Sequence, residues 1–154
     1  MHRLFPVAAV LVSLSIGISV RAEDSIRGEA GRSDRQLLQG TWKVVKRIKN
    51  GHEEGASEHP SVLKISGTAI DETRDGKPAQ QGTFVLDDSS SPKRITLTGK
   101  AGPDAGKVFE AIYEVDGNTF KLAYSIGDHA GTAPKDFAGG EGAGLLVLER
   151  QRPE

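Results

Sequence analysis

The chain has 154 residues, 27% of them charged, with 20 Lys and Arg against 21 Asp and Glu, a formal net charge of −1 and no cysteine. Without cysteine there are no disulfides, no thiolate metal sites and no thiol chemistry, so burial and backbone pairing must hold the fold together. Bases and acids are interspersed, with no basic stripe to neutralise a run of phosphates, which argues against nucleic acid as a partner.

The first segment has the layout of an export signal. His2 and Arg3 make a short basic start, Leu4 to Val20 an apolar stretch, and Val20-Arg21-Ala22 a small-x-small cleavage pattern, which places a cut after Ala22. The alternative is an uncleaved membrane anchor, but Ser13, Ser15, Gly17 and Ser19 dilute a run barely long enough to span. Residues 1–22 are therefore read as a signal peptide, with no stable membrane span after cleavage and a periplasmic or extracellular destination. The remaining 132 residues hold 18 bases against 21 acids, a net charge of −3, and suffice for one domain with its own core.

Residues 23–36 are polar, with Gly28 and Gly31, and read as a flexible tether. Within it, Ser33-Asp34-Arg35-Gln36 has capping-box spacing before Leu37-Leu38, which predicts one helical turn leading into Gly40. From residue 37 to 152 the pattern is that of half-buried strands broken by Gly, Pro, Asp and Asn. Eight strands are expected, at about 40–49, 61–66, 69–73, 81–87, 93–98, 107–115, 118–126 and 144–151. Alternation puts Trp42, Val44 and Ile48 on one face of the first strand. Leu63 and Ile65, Phe84 and Leu86, and Ile95 and Leu97 do the same in the second, fourth and fifth. Phe109, Ala111, Tyr113 and Val115 face one way in the sixth, where Phe120, Leu122 and Tyr124 of the seventh join them, while Glu110 and Glu114 face water. Asp116-Gly117 between those two strands predicts a two-residue type I′ turn.

The connectors at 50–60, 74–80, 99–106 and 127–143 are longer than those between them, and in an up-and-down meander alternate connectors lie at one end. The expected fold is all-β: an eight-stranded antiparallel up-and-down barrel with a short N-terminal helical turn, one open rim carrying the long loops and one closed end. A β-sandwich built from the same strands is the alternative. Strand one starts at the closed end and strand eight returns to it, so Arg150 should sit over the Trp42 indole, with Arg152 as the other candidate.

Several segments match a known pattern. Gly40-Thr41-Trp42 is similar to the Gly-x-Trp signature of lipocalins, in which a late basic residue packs on the Trp. The ordered series 38–45 (LQGTWKVV), 81–86 (QGTFVL), 92–97 (PKRITL), 113–122 (YEVDGNTFKL), 134–137 (PKDF) and 145–150 (LLVLER) resembles the planctomycete lipocalin-like domain, a bacterial family of unknown function. The resemblance runs from about Leu37 to Arg150 and implies a lipocalin-like barrel with Gly40, Trp42 and Arg150 as its structural signature. It implies almost no chemistry. Family members often carry an Arg before the Pro-x-x-Phe segment, where this chain has Ala133, so no role for that guanidinium carries over.

Candidate chemistry is sparse. His52-Glu53-Glu54 and Glu58-His59 lack the spacing of a helical zinc motif and read as a solvated loop. Residues 102–108 (GPDAGKV) have three residues between the glycines where a phosphate loop needs four, and Val108 where it needs Ser or Thr. Asp71, Glu72 and Asp75 lack calcium-loop spacing and read as a charged hairpin end. There is no Gly-x-Ser-x-Gly elbow, and His129 stands alone as a proton-transfer candidate in a Gly-rich loop. No catalytic residue, metal or cofactor is assigned. Phe137, flanked by glycine-rich stretches, has two readings: a plug folded over the open rim, or packing on the outer wall.

Three functions compete. The first is a non-enzymatic module holding a small apolar or amphipathic ligand inside the barrel, with Phe84, Phe109, Tyr113, Phe120 and Tyr124 as candidate wall. The second is a cell-envelope interaction or structural domain with a side-chain-filled core that binds through its loop rim, any protein partner being unknown. An enzyme is the third, with no constellation of residues behind it.

Overall fold

A computed structural model describes residues 32–153; the proposed signal and most of the tether lie outside the described residues. At the end of the expected tether a short helix α1 (Asp34–Leu38) forms. The Ser33 hydroxyl accepts from the Gln36 N–H, and the Gln36 side chain accepts from the Ser33 N–H at 3.0 Å, the reciprocal cap that the spacing predicted.

Nine strands follow: β1 (Gly40–Lys49), β2 (His52–Glu54), β3 (Ser61–Ser66), β4 (Ala69–Arg74), β5 (Lys77–Asp87), β6 (Arg94–Ala101), β7 (Val108–Val115), β8 (Thr119–Ser125) and β9 (Ala143–Arg150). Leaving out β2, each pairs antiparallel with the next, and β9 returns to β1 from Trp42↔Arg150 to Lys49↔Gly144. That pairing closes an eight-stranded barrel of lipocalin-like type and excludes the sandwich. β2 was not foreseen. It pairs with the upper half of β1, where β3 has already diverged, and so fills an edge that would leave N–H and C=O groups unpaired.

The turns divide differently from the expectation. The β7–β8 link is not a type I′ turn, since neither Asp116 nor Gly117 has positive φ. Instead the Asp116 carboxylate accepts from the N–H groups of Asn118 and Thr119 at 2.9 and 2.7 Å, and this local bonding sets the bend. The primed turns lie elsewhere. Asn50-Gly51, joining β1 to β2, and Asp75-Gly76, joining β4 to β5, both have two consecutive positive φ angles. The connector expected from Arg74 to Gln80 is therefore a two-residue hairpin, and three longer connectors leave the open end where four were expected.

Side chains alternate into two apolar clusters. The interior one gathers Trp42, Val44, Leu63, Ile65, Phe84, Ile95, Tyr113, Phe120 and Leu148 above Leu38, which closes the base. A second, on the outside of β7, β8 and β9, consists of Ile112, Ala123 and Leu145 with Ile48, Ala133, Phe137 and Val147 against them. The loop from 126 to 142 supplies its cover, and the Glu110 N–H donates to the Ala130 carbonyl along it.

Ile48 belongs to the outer cluster, which corrects its expected inward position. The cause is a β-bulge: Val44 pairs with Leu148 and Lys46 with Val147, so Val45 has no partner on β9. One extra residue shifts the alternation, turning Ile48 outward and Arg47 inward.

Candidate functional site

The base of the barrel is one bonded unit. Trp42 is fully buried, its Nε1 donates to the Leu38 carbonyl at 2.8 Å, and the Phe120 ring meets it edge-on at 5.7 Å. Arg150 Cζ lies 4.3 Å from the indole centroid, as the closure of β1 on β9 predicted. Its Nε donates to the Gly117 carbonyl and its Nη1 to the Gln39 carbonyl, each at 2.7 Å, and Nη2 donates to the Leu37 carbonyl. Gly40 completes the signature, because it sits at φ +120° and a methyl there would come within 3.0 Å of Arg150 Nη1.

A second tie holds α1 to the wall. Asp34 Oδ2 receives Lys93 Nζ at 2.6 Å and the Tyr113 hydroxyl at 2.9 Å. Burial first, and then the hydrogen bond to Asp34 and its negative charge, hold the Tyr113 phenol well above its usual pKa. Two open clefts flank this region: about 290 Å³ between the β5–β6 connector and Tyr113, and about 330 Å³ between α1 and β5.

All five candidate wall residues lie on the inner face, but they divide by height. Phe84 is 2% exposed and Tyr113 and Phe120 are 0% exposed, so other side chains meet them on all sides. Phe109 and Tyr124 sit higher and are half-buried. Phe137 packs with Ile112, Ala123 and Leu145 on the outer wall, which corrects the plug reading in favour of its alternative. The Gly-rich loop carries it along the sheet, because the outward apolar positions of β7 to β9 need cover from water there.

The open end is built differently. Below its rim the inward positions are Arg47, Ser61, Glu72, Arg74 and Tyr124, fixed by the registers Arg47↔Leu146, Leu63↔Glu72, Ser61↔Arg74 and Tyr124↔Gly144. Arg47 Nη2 donates to Ser61 Oγ at 3.0 Å and to Glu72 Oε1 at 3.4 Å, and Arg74 Nη2 reaches the same Oε1 at 3.0 Å. The Arg47 and Glu72 side chains are only 16% and 17% exposed, so this is a partly desolvated ion pair with a second guanidinium on one carboxylate oxygen. The Tyr124 ring lies against the backbone of Gly144, where a methyl would overlap it. Burial raises its pKa first, with Arg47 opposing and Glu54 and Glu72 adding to the rise.

Sequence reasoning missed this mouth. Ile70, Glu72 and Arg74 recur at every second position of one strand, so the inward apolar residue already implied that the two charges beyond it face inward too. The bulge that turns Arg47 inward has no comparable signal. Other polar candidates lie apart. His52 and Glu53 are exposed on β2, His59 Nδ1 is 3.3 Å from Asp75 Oδ2 in solvent, and exposed His129 lies in a 3₁₀ turn over Gly127–His129. Among the described residues no group of three or more His, Asp or Glu side chains is placed to hold a metal ion. Glu110, expected in water, is half-buried and accepts from Thr96 Oγ1 at 3.1 and 3.2 Å.

The arrangement defines a closed, lipocalin-like barrel with a packed base, a polar mouth and a clad outer wall. Set against family models, curated proteins and solved structures, the chain has no match. No described helix is long and apolar enough to cross a membrane.

Proposed function

We propose that this chain is an exported, non-enzymatic domain that binds a partner through the mouth of its barrel, with the base filled by its own side chains. The observation behind the choice over an interior apolar ligand is the complete burial of Trp42, Tyr113 and Phe120, since a barrel that holds a greasy molecule must leave its wall aromatics free to touch it. The mouth, by contrast, carries charged groups that keep contact with water. Export rests on the basic start, apolar run and cleavage pattern of residues 1–22, and kinship with the planctomycete lipocalin-like domain rests on the ordered segments from Leu37 to Arg150.

Native mass spectrometry after exposure to a cell lipid extract tests the filled base. Recovery of the bare mass with unshifted Trp42 fluorescence is expected, whereas a retained apolar adduct would overturn the reading. Mature protein beginning at Glu23 is the expected product of export, read from the N-terminal peptide.

A further inference from the structure

We infer that the mouth is a receptor for a small carboxylate, with Arg47 as its principal donor, which deepens the rim-binding reading above and rests on it. Arg47 has five N–H donors. Its Nη2 uses both hydrogens on Ser61 and Glu72, while Nε and Nη1 have no hydrogen-bond partner among the described residues. Among the described residues no unpartnered side-chain nitrogen or oxygen is fully buried, so those donors keep an opening to solvent although the side chain is only 16% exposed. A mostly desolvated guanidinium with unused donors facing an opening is a site for an oxyanion, because hydrogen bonds between ionised groups are about twice as strong as neutral ones.

Charge and depth narrow the class. Register places Arg47, Lys49, Arg74 and Lys77 on the inner face at this level, against Glu54 and Glu72, leaving a modest positive excess. That excess is two charges, but Glu72 and Glu54 stand beside Arg47, so the second charge of a dianion would meet them and a singly charged head is favoured. Below the mouth the side chains of Leu122, Leu146 and Phe84 fill the barrel, so no long tail can follow the head inward. The ligand is thus a short carboxylate whose apolar part rests on the half-buried rings of Tyr124 and Phe109. A long-chain lipid does not fit.

The test uses the full chain, with its signal removed or intact, titrated by NMR with benzoate, benzamide, phenyl phosphate and decanoate. Benzoate is expected to bind and to shift the amides around Arg47, Ser61 and Tyr124. Neutral benzamide should bind at least about tenfold more weakly, phenyl phosphate no more tightly than benzoate, and decanoate with no gain over benzoate. Arg47→Gln should weaken benzoate about tenfold and Arg47→Lys by less, since the lysine keeps the charge without the planar donor array. Glu72→Gln is the decisive variant. Removing the competing carboxylate should tighten benzoate about threefold or more, whereas a purely structural Glu72 would, when lost, loosen the arginines and weaken it. Benzamide binding as well as benzoate, preference for the phosphate, a tail-length gain with decanoate, or weakening by Glu72→Gln would each overturn the inference. Failure with benzoate alongside a bare mass in lipid extract would remove the carboxylate site and leave the filled base standing. A lipid adduct would remove the rim reading itself.

Discussion

The two ends of the barrel handle their polar groups in opposite ways. At the base, Arg150 meets an indole face and three backbone carbonyls, so a charged group acts as a rivet between strand, helix and turn. At the mouth, Arg47 shares one carboxylate with Arg74 and keeps donors open toward water. The lesson is that the same side chain, on the same inner face of the same sheet, is structural or available according to how many of its donors the chain itself occupies.

Substitutions can break that contrast, beginning where the effect should be largest. Trp42→Ala removes the fully buried centre of the base and should cost about 3–5 kcal/mol in chemical denaturation. Arg150→Ala, which strips the cation from the ring and leaves the carbonyls of Leu37, Gln39 and Gly117 without that donor, should cost about 2–3 kcal/mol. A cost below that of the mouth variants would erase the distinction. On the outer wall, Phe137→Ala should cost about 2 kcal/mol, roughly half the value for a fully buried ring, and leave binding at the mouth unchanged.

A pH experiment sharpens the comparison further. The Tyr113 phenol is held above its ordinary value of 10.0 in the folded chain, so its neutral form is favoured by folding. Its stabilising contribution is fully present below about pH 10 and is lost as pH rises through the higher folded value. Stability should therefore fall at alkaline pH, and Tyr113→Phe should remove that part of the decline while costing about 1 kcal/mol at neutral pH for the lost bond to Asp34. Arg47→Gln should cost least, about 1 kcal/mol or below, because Arg74 still pairs with the Glu72 carboxylate that the substitution leaves behind and the new amide can still donate to it.

Much of this fold was legible because period-two alternation and tight turns are local signals. The interior faces of β3, β5, β6, β7 and β8 and the meeting of Trp42 with Arg150 follow from alternation plus an even number of strands. The misreadings share a cause. Val45 is an unpaired extra residue whose effect on Arg47 and Ile48 depends on β9, a strand distant in sequence. The Asp-Gly of 116–117 bends by a side-chain bond while the Asp-Gly of 75–76 takes the primed geometry, a difference set by the pairing on either side and not by the dipeptide. Of the candidate site, the inward aromatics were read, but their division into packed base and open mouth depends on how the interior fills.

Closure through β1 and β9 also fixes when the molecule can become whole. Strands β3 to β9 can zip neighbour to neighbour as they emerge from a ribosome or a translocation pore, but β1 has one long flank with nothing to bind until the final strand arrives. Until Arg150 has been made, the Trp42 indole has no guanidinium over it and the Leu37 carbonyl of α1 lacks its donor. The last strand made is therefore the one that closes the sheet, and a chain cut short before it would leave that flank of β1 as an unpaired edge of the kind that invites aggregation.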